Sequence, residues 1–297
     1  MRDVSERFLF TGDDLGGAYS AAVDAILDGK LIVLPTDTVY GIAADAFKPD
    51  AVQRLLDAKG RGRDMPPPVL ISAVETIDAL ATSVGETGRA LCERFWPGAL
   101  TVICHAQSSL MWDLGETRGT VALRVPDHEQ TRELLSRTGP LAVSSANISG
   151  KPAATDVYDA ERQLGDSVAV YLDGGSVAAD AATALPSTIV DLTGDVPRVV
   201  RLGAISLEQL REVAPEVKDP DAPDADDETE APDGLPLDEP RDSAEAPDGP
   251  QLDEPRDSAD APDGPELDEP RDKADAPDGP PLDEPQKTGD DQGKPAS

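Results

Sequence analysis

The chain of 297 residues carries 26 Lys plus Arg against 59 Asp plus Glu, a formal net charge of -33, and only 3% of it is aromatic. So acidic a balance argues against a protein that grips nucleic acid through overall positive charge, and so few aromatics are low for a chain that is globular throughout. No run of about 18 apolar residues is present and no apolar leader follows Met1, so the expectation is a cytoplasmic protein that neither spans a membrane nor is secreted.

The charge is unevenly spread. Residues 1–213 hold 19 Lys plus Arg against 30 Asp plus Glu, while residues 214–297 hold 7 against 29. Two regions are therefore expected: one α/β domain over residues 1–213, ample for a single core, and an acidic tail over 214–297. In the tail, Ala-Pro-Asp-Gly begins at 231, 246, 261 and 276, and Leu-Asp-Glu-Pro at 237, 252, 267 and 282, four copies with a period of 15. Leu is almost the only large apolar side chain in each unit, too little to offset the entropy of ordering it, which predicts an extended disordered polyanion. Such an arm either solubilises or binds a partner, or is a neutral repeat expansion.

Within the domain, Ala22, Val23, Ile26 and Leu27 have helical spacing over Tyr19 to Lys30, with Gly29 suited to the helix end. Leu31 to Leu34 is a continuous apolar run stopped by Pro35, the pattern of a strand buried on both faces, and extended character resumes over Thr38 to Ala44. Thr36, Asp37 and Thr38 then sit at the turn, serving either a ligand or ordinary hydroxyl and Asx turn chemistry. Asp50 is expected to cap a helix through Val52, Leu55 and Leu56 that Gly60 closes in the left-handed conformation.

Lys59-Gly60-Arg61-Gly62-Arg63 follows, three cations on a glycine-softened turn beyond that helix and outside any apolar face. They either meet a local anion, most simply phosphate, or form a solvated loop. Met65 to Pro68 stiffens the exit. Val69 to Ala73 and Leu100 to Cys104 read as strands, Thr76 to Leu80 and Gly88 to Phe95 as helices, and Trp96-Pro97-Gly98 as a break.

Thr120 to Val125 alternates, placing Val121, Leu123 and Val125 on one face and Thr120, Ala122 and Arg124 on the other, so Arg124 faces either solvent or a polar cleft. His128 opens a helix through Leu134 and Leu135. Leu141 to Val143 is a short strand running into Ser144, Ser145 and Asn147, hydroxyls and an amide at a strand end, where open α/β sheets hold ligands; capping of the loop is the alternative. Further strands are expected at Val168 to Leu172, Ser187 to Leu192 and Val199 to Val200, then a helix from Ser206 to Val213. Cys92 and Cys104 cannot build a disulfide framework, and with His105 and His128 they lack zinc spacing. No Gly-x-Ser-x-Gly elbow, Gly-x-x-x-x-Gly-Lys-Ser/Thr loop or Gly-x-Gly-x-x-Gly is present, so any nucleotide is held by another device.

Taken together, Pro35-Thr-Asp-Thr-Val-Tyr-Gly41, Ala58-Lys-Gly-Arg61, Trp96-Pro-Gly98 with Leu100-Thr101, Val121-Ala-Leu-Arg-Val-Pro126, Ser145-Ala-Asn147, Pro186-Ser-Thr188 and Arg201-Leu-Gly203 resemble the YrdC-like threonylcarbamoyl-adenylate synthases over about Asp24 to Val213. The resemblance implies a twisted, mostly parallel or mixed α/β sheet with flanking helices and a concave positive cavity. It implies a nucleotidyl transfer that joins L-threonine, bicarbonate and ATP into threonylcarbamoyl-AMP and pyrophosphate, with Mg2+ or Mn2+ accompanying ATP. The product would pass to threonylcarbamoyl-transferase machinery acting on tRNA. Thr36, Arg124 and Ser187 would hold the threonine or its carboxylate, which moves the expectation for Arg124 from solvent to the cleft. Lys59, Arg61, Thr120, Ser145, Asn147 and Arg201 would surround the nucleotide, with Lys59 and Arg61 as the catalytic cations. The acidic repeat stands where longer members carry a second folded domain, and Arg63 matches no family position. Two other classes compete: a module within carbamoyl transfer, which would bring acylphosphatase and zinc-finger segments this chain lacks, and a noncatalytic RNA-binding protein, which a domain charge of -11 disfavours.

Overall fold

Leu31 to Leu34, the apolar run expected to be buried on both faces, is buried throughout. The computed structural model of the chain describes residues 5–177 and 185–221. In chain order they form β1 (Glu6–Leu9), α1 (Gly16–Leu27), β2 (Ile32–Leu34), β3 (Gly41–Asp45), α2 (Pro49–Lys59), β4 (Val69–Leu70), α3 (Ile77–Leu80), β5 (Ala81–Thr82) and α4 (Gly85–Phe95). They continue with β6 (Leu100–Ala106), β7 (Thr120–Arg124), α5 (Glu129–Thr138), β8 (Leu141–Ser145), α6 (Val157–Leu164), β9 (Val170–Asp173), β10 (Thr188–Asp191), β11 (Arg198–Arg201) and α7 (Leu207–Val213).

The strands join in the order β1-β9-β2-β3-β8-β4-β7-β6-β10-β11, with β5 added on β6. Pairs β1/β9, β2/β9, β4/β7 and β6/β10 are parallel. Pairs β2/β3, β3/β8, β4/β8, β5/β6, β6/β7 and β10/β11 are antiparallel. The α/β sheet is thus mixed, the second of the two forms that the resemblance implied, because β2/β3 and β6/β7 are joined by loops without a crossover helix and must reverse direction.

Strand β2 shows why the sheet is covered on both sides. Ile32 and Leu34 belong to a cluster with Phe10, Ile26 and Leu134 from the α1 and α5 side. Val33 points the other way, into a cluster with Leu55 of α2 and Val157 of α6. Each such side chain taken from water contributes about 1.5–3 kcal/mol, so the run tolerates no polar residue on either face. A third cluster packs α4 and α7 against β6 and β7 through Leu91, Leu210, Val102 and Leu123.

Two expectations are corrected, and two elements come unannounced. Asp50 is not the cap of α2: Lys48 holds that position in extended conformation, Pro49 is the first helical residue, and Asp50 lies in the first turn, where its charge still suits the helix dipole. The packed domain does not stop at Val213, since Ala214 and Val217 are each 1% exposed and Val199 N–H donates to the Lys218 carbonyl at 2.9 Å. Strand β1 and helix α6 were not anticipated: β1 is an edge strand exposed along most of its length, so it carries no amphipathic signal. The repeat tail expected to be a disordered polyanion lies outside the described residues.

Candidate functional site

A cavity of about 440 Å³ opens on the sheet, lined at its polar wall by Thr36, Arg61, Thr120, Arg124, Ser145, Ser187 and Arg201. Those are seven of the nine residues expected at the site. Pro66, Pro67, Val143, Ile103 and Ile189 supply an apolar wall. The size is that of a small-molecule site. Lys59 and Asn147 do not line it.

Lys59 differs most from expectation. It is the last residue of α2 rather than a loop residue, and it is fully buried. Gly60 adopts φ 61°, the left-handed turn that needs no Cβ, and this sends residues 59 and 61 in different directions. The Lys59 ammonium donates to the Ser145 carbonyl at 2.5 Å and to the Asn147 carbonyl at 2.7 Å, with Asn147 Oδ1 at 3.5 Å. Its donors are therefore spent on the last residue of β8 and the loop that follows. Burial, and secondarily the charge of Arg61, push the ammonium down to about 7. Asn147 follows the capping alternative: its amide donates to the Ile148 and Lys151 carbonyls at 2.9 and 2.7 Å. Lys59 and Asn147 together shape the loop that offers Ser145 to the cavity.

Arg61 leaves the helix end toward the cavity. Its Nη1 donates to Ser144 Oγ at 3.2 Å, while its buried Nε–H meets no acceptor. Arg201 Nη2 donates to the Ser187 carbonyl at 2.7 Å and lies 3.3 Å from Ser187 Oγ. Burial lowers both guanidiniums from their usual value, and the charge of Arg61 lowers Arg201 further. Among the described residues neither has a carboxylate partner, so the two cations repel across a site that matches an anion.

Arg124 faces the cleft, as the resemblance implied and against the solvent alternative, and is 6% exposed. Its Nη2 pairs with Asp37 at 2.6 Å, Nη1 donates to Thr38 Oγ1 at 2.9 Å, and Nε to the Gly98 carbonyl at 2.9 Å. Three of five donors are thus committed. Burial lowers this guanidinium, opposed by the Asp37 charge. Thr36 combines both readings of its turn, because it lines the cavity while its hydroxyl donates to the Val39 carbonyl at 2.6 Å and accepts from Thr38 N–H at 3.2 Å. Thr101 donates to Ser187 Oγ at 2.9 Å, which joins the serine to the Arg201 group. The Thr120 hydroxyl donates to the Thr117 carbonyl at 2.7 Å.

Sequence reasoning missed Asp37 as the partner of Arg124 and Thr101 as a site residue, while Ser144, offered with Ser145 at the strand end, does line the cavity. Parity could have found Thr101: Leu100, Val102 and Cys104 of β6 enter the core while Thr101 and Ile103 line the cavity. The Asp37 contact spans 87 residues and left no local trace. Arg63 lies outside the cavity, paired with Asp113 at 2.6 Å. His128 caps α5 by accepting from Thr131 N–H at 3.2 Å, and neither it nor His105 lines the cavity. No helix among the described residues is long and apolar enough to cross a membrane.

This chain is similar to proteins already known. The Sua5/YciO/YrdC family profile, described as telomere recombination, matches residues 24–203. A Mycobacterium tuberculosis protein provisionally named a threonylcarbamoyl-AMP synthase is 54% identical over 193 residues, 65% of this chain and 87% of that one. The threonylcarbamoyl-AMP synthase of Pyrococcus abyssi is 35% identical over 66% of this chain and 57% of its own length. The crystal structure of P. abyssi Sua5 complexed with L-threonine aligns with a TM-score of 0.65 at 32% identity, covering 73% of this chain. This chain spans 62% of that longer one. With the profile covering the cavity residues from Thr36 to Arg201, the chain belongs to the Sua5/YciO/YrdC family.

Proposed function

We propose that the chain is an L-threonylcarbamoyl-AMP synthase, a nucleotidyltransferase that joins L-threonine, bicarbonate and ATP and releases pyrophosphate. The observation that carries this is the cavity's division of labour: Arg61 and Arg201 lack carboxylate partners among the described residues, while Arg124 sits beside Asp37, Thr36 and Thr38. A polyphosphate answers the first pair. A single carboxylate with a hydroxyl answers the second.

In the reaction, a carbamate oxygen of carboxylated threonine attacks the α-phosphorus of ATP as the bond to the β-phosphate oxygen breaks, and pyrophosphate leaves with that electron pair. An anion approaches an anion, so the task is to neutralise charge rather than to remove a proton. Arg61 and Arg201 stand where charge develops, and Ser145 and Thr120 offer hydroxyls at the same wall. Lys59 acts on this wall through the Ser145 carbonyl that it holds. Thr36, Arg124 and Ser187 orient the amino acid. The divalent ion, Mg2+ or Mn2+, would enter as part of the nucleotide substrate; the Asp37 carboxylate behind Arg124 is committed to that guanidinium. The product would pass to threonylcarbamoyl-transferase machinery that acts on tRNA.

The test is pyrophosphate release from ATP with threonine and bicarbonate omitted in turn. Release is expected only when all three are present, with threonine preferred over valine by a large factor, since valine leaves a buried polar partner unpaired. Release that ignores threonine overturns the synthase reading, and equal rates with valine overturn the threonine assignment.

A further inference from the structure

Arg63 sits two residues after Arg61, outside the cavity, yet it is fastened to a distant segment by both its backbone and its side chain. That segment is the connection of residues 107–119 between β6 and β7, long for a link between antiparallel neighbours. Glu116 N–H donates to the Arg63 carbonyl at 2.8 Å, and Arg63 Nη2 pairs with Asp113 at 2.6 Å. Asp113 Oδ1 also accepts from Gly115 N–H at 3.1 Å, so one carboxylate turns the loop and holds the guanidinium. A Cβ at position 115 would stand 2.6 Å from the Arg63 carbonyl oxygen, so the loop presses on the basic segment more closely than any side chain there allows. Farther along, Trp112 stacks on Phe47 with ring centroids 5.5 Å apart.

The docked loop contributes to the cavity. Leu114 is 2% exposed and Thr117 follows it, and both line the wall. The Thr117 carbonyl accepts from Thr120 N–H at 3.0 Å and from its hydroxyl at 2.7 Å, which fixes the first residue of β7. We infer that Arg63 is a positioning residue: it latches the β6–β7 loop over the basic segment, so that Leu114, Thr117 and Thr120 form the nucleotide wall opposite Arg61.

This inference rests on the nucleotide reading of the cavity, so its test separates the two. Arg118 is exposed in the same loop at φ 53°, and tryptic cleavage after it reports undocking with no substrate present. Asp113→Arg puts two guanidiniums in contact, and the double variant Arg63→Asp with Asp113→Arg restores an opposite-charge pair. The single variant is expected to speed cleavage after Arg118 and to weaken Mg-ATP binding, measured by titration calorimetry, by about threefold to tenfold, because only the docked fraction binds. In the assay the loss should appear in KM for ATP with kcat within about twofold. The swapped pair should recover most of both. Unchanged cleavage and unchanged affinity in the single variant overturn the latch. Faster cleavage with unchanged affinity also overturns it as a positioning device for nucleotide. A wild-type protein that binds Mg-ATP but forms no threonylcarbamoyl-AMP sinks the synthase reading while the latch stands.

Discussion

Arg124 and the Arg61–Arg201 pair line the same cavity, but the sequence has treated their charges in opposite ways. Arg124 is almost fully buried and carries its own counter-ion, Asp37, with a hydroxyl and a carbonyl filling two further donors. Arg61 is half-buried and Arg201 more exposed; both donate only to neutral oxygens, and the charge of Arg61 lowers the affinity of Arg201 for a proton. A compensated cation belongs to the fold first and to a ligand second. Uncompensated cations are a standing cost that only an arriving anion removes. The contrast says that damage near Arg124 should register as lost stability, and damage at Arg61 as lost turnover.

The largest effect is expected at Asp37. Asp37→Ala leaves a guanidinium that is 6% exposed without its counter-charge, a change worth about 3–5 kcal/mol when a buried pair is broken from one side. The thermal midpoint should fall by roughly 10 °C for a domain of this size. An unchanged midpoint would mean that Arg124 is stabilised by its neutral partners alone, and the contrast between the two regions would dissolve.

Arg61→Ala is the counterpart. Removing one preorganised charge from the transition state costs about 2–4 kcal/mol, or roughly 30-fold to 1000-fold in threonylcarbamoyl-AMP formation. The midpoint should hardly move, since the side chain donates to Ser144 Oγ across 3.2 Å and its Nε is already without a partner. Lys59→Ala should behave differently although it lies only two residues away. It strands the Ser145 and Asn147 carbonyls, losing about 1–3 kcal/mol of stability together with activity. If Lys59→Ala melts like the wild type, the buried anchor is misassigned.

That divergence between neighbours marks the limit of what was legible. Continuous apolar runs such as Leu31 to Leu34 announced the buried strands, and alternation in Thr120 to Val125 grouped Arg124 with two other cavity residues, because both signals are local. The fate of Lys59 was not local. A cation ending a helix before a glycine reads as exposed, and only the left-handed turn at Gly60 together with the loop after β8 carries it inside. Asp37 was visible as a turn residue, but its partner lies 87 residues on. The domain edge was drawn by charge at Val213, while burial of Ala214 and Val217 depends on the return of the chain to β11. Composition cannot register such a contact.

The smallest expected effect is also the most specific to the uncompensated region. Lys59 has an ordinary value of 10.5 that burial and Arg61 bring down to about 7. Between those values the unfolded chain keeps a proton that the folded one has released. Unfolding therefore takes up a proton, and stability rises with pH across that window. Lys59→Met should lack that slope. A bound polyphosphate places negative charge beside Arg61 and the Ser145 loop, which favours the charged ammonium and raises its value again. At pH 8 the free protein holds Lys59 mostly neutral, so Mg-ATP binding should take up at most one proton. Calorimetric titrations in two buffers of different ionisation enthalpy measure that uptake directly. Uptake in the wild type that disappears in Lys59→Met places the phosphates against the unpaired cations. Equal uptake in both proteins would move the nucleotide away from this flank and leave Arg61 and Arg201 waiting for some other anion.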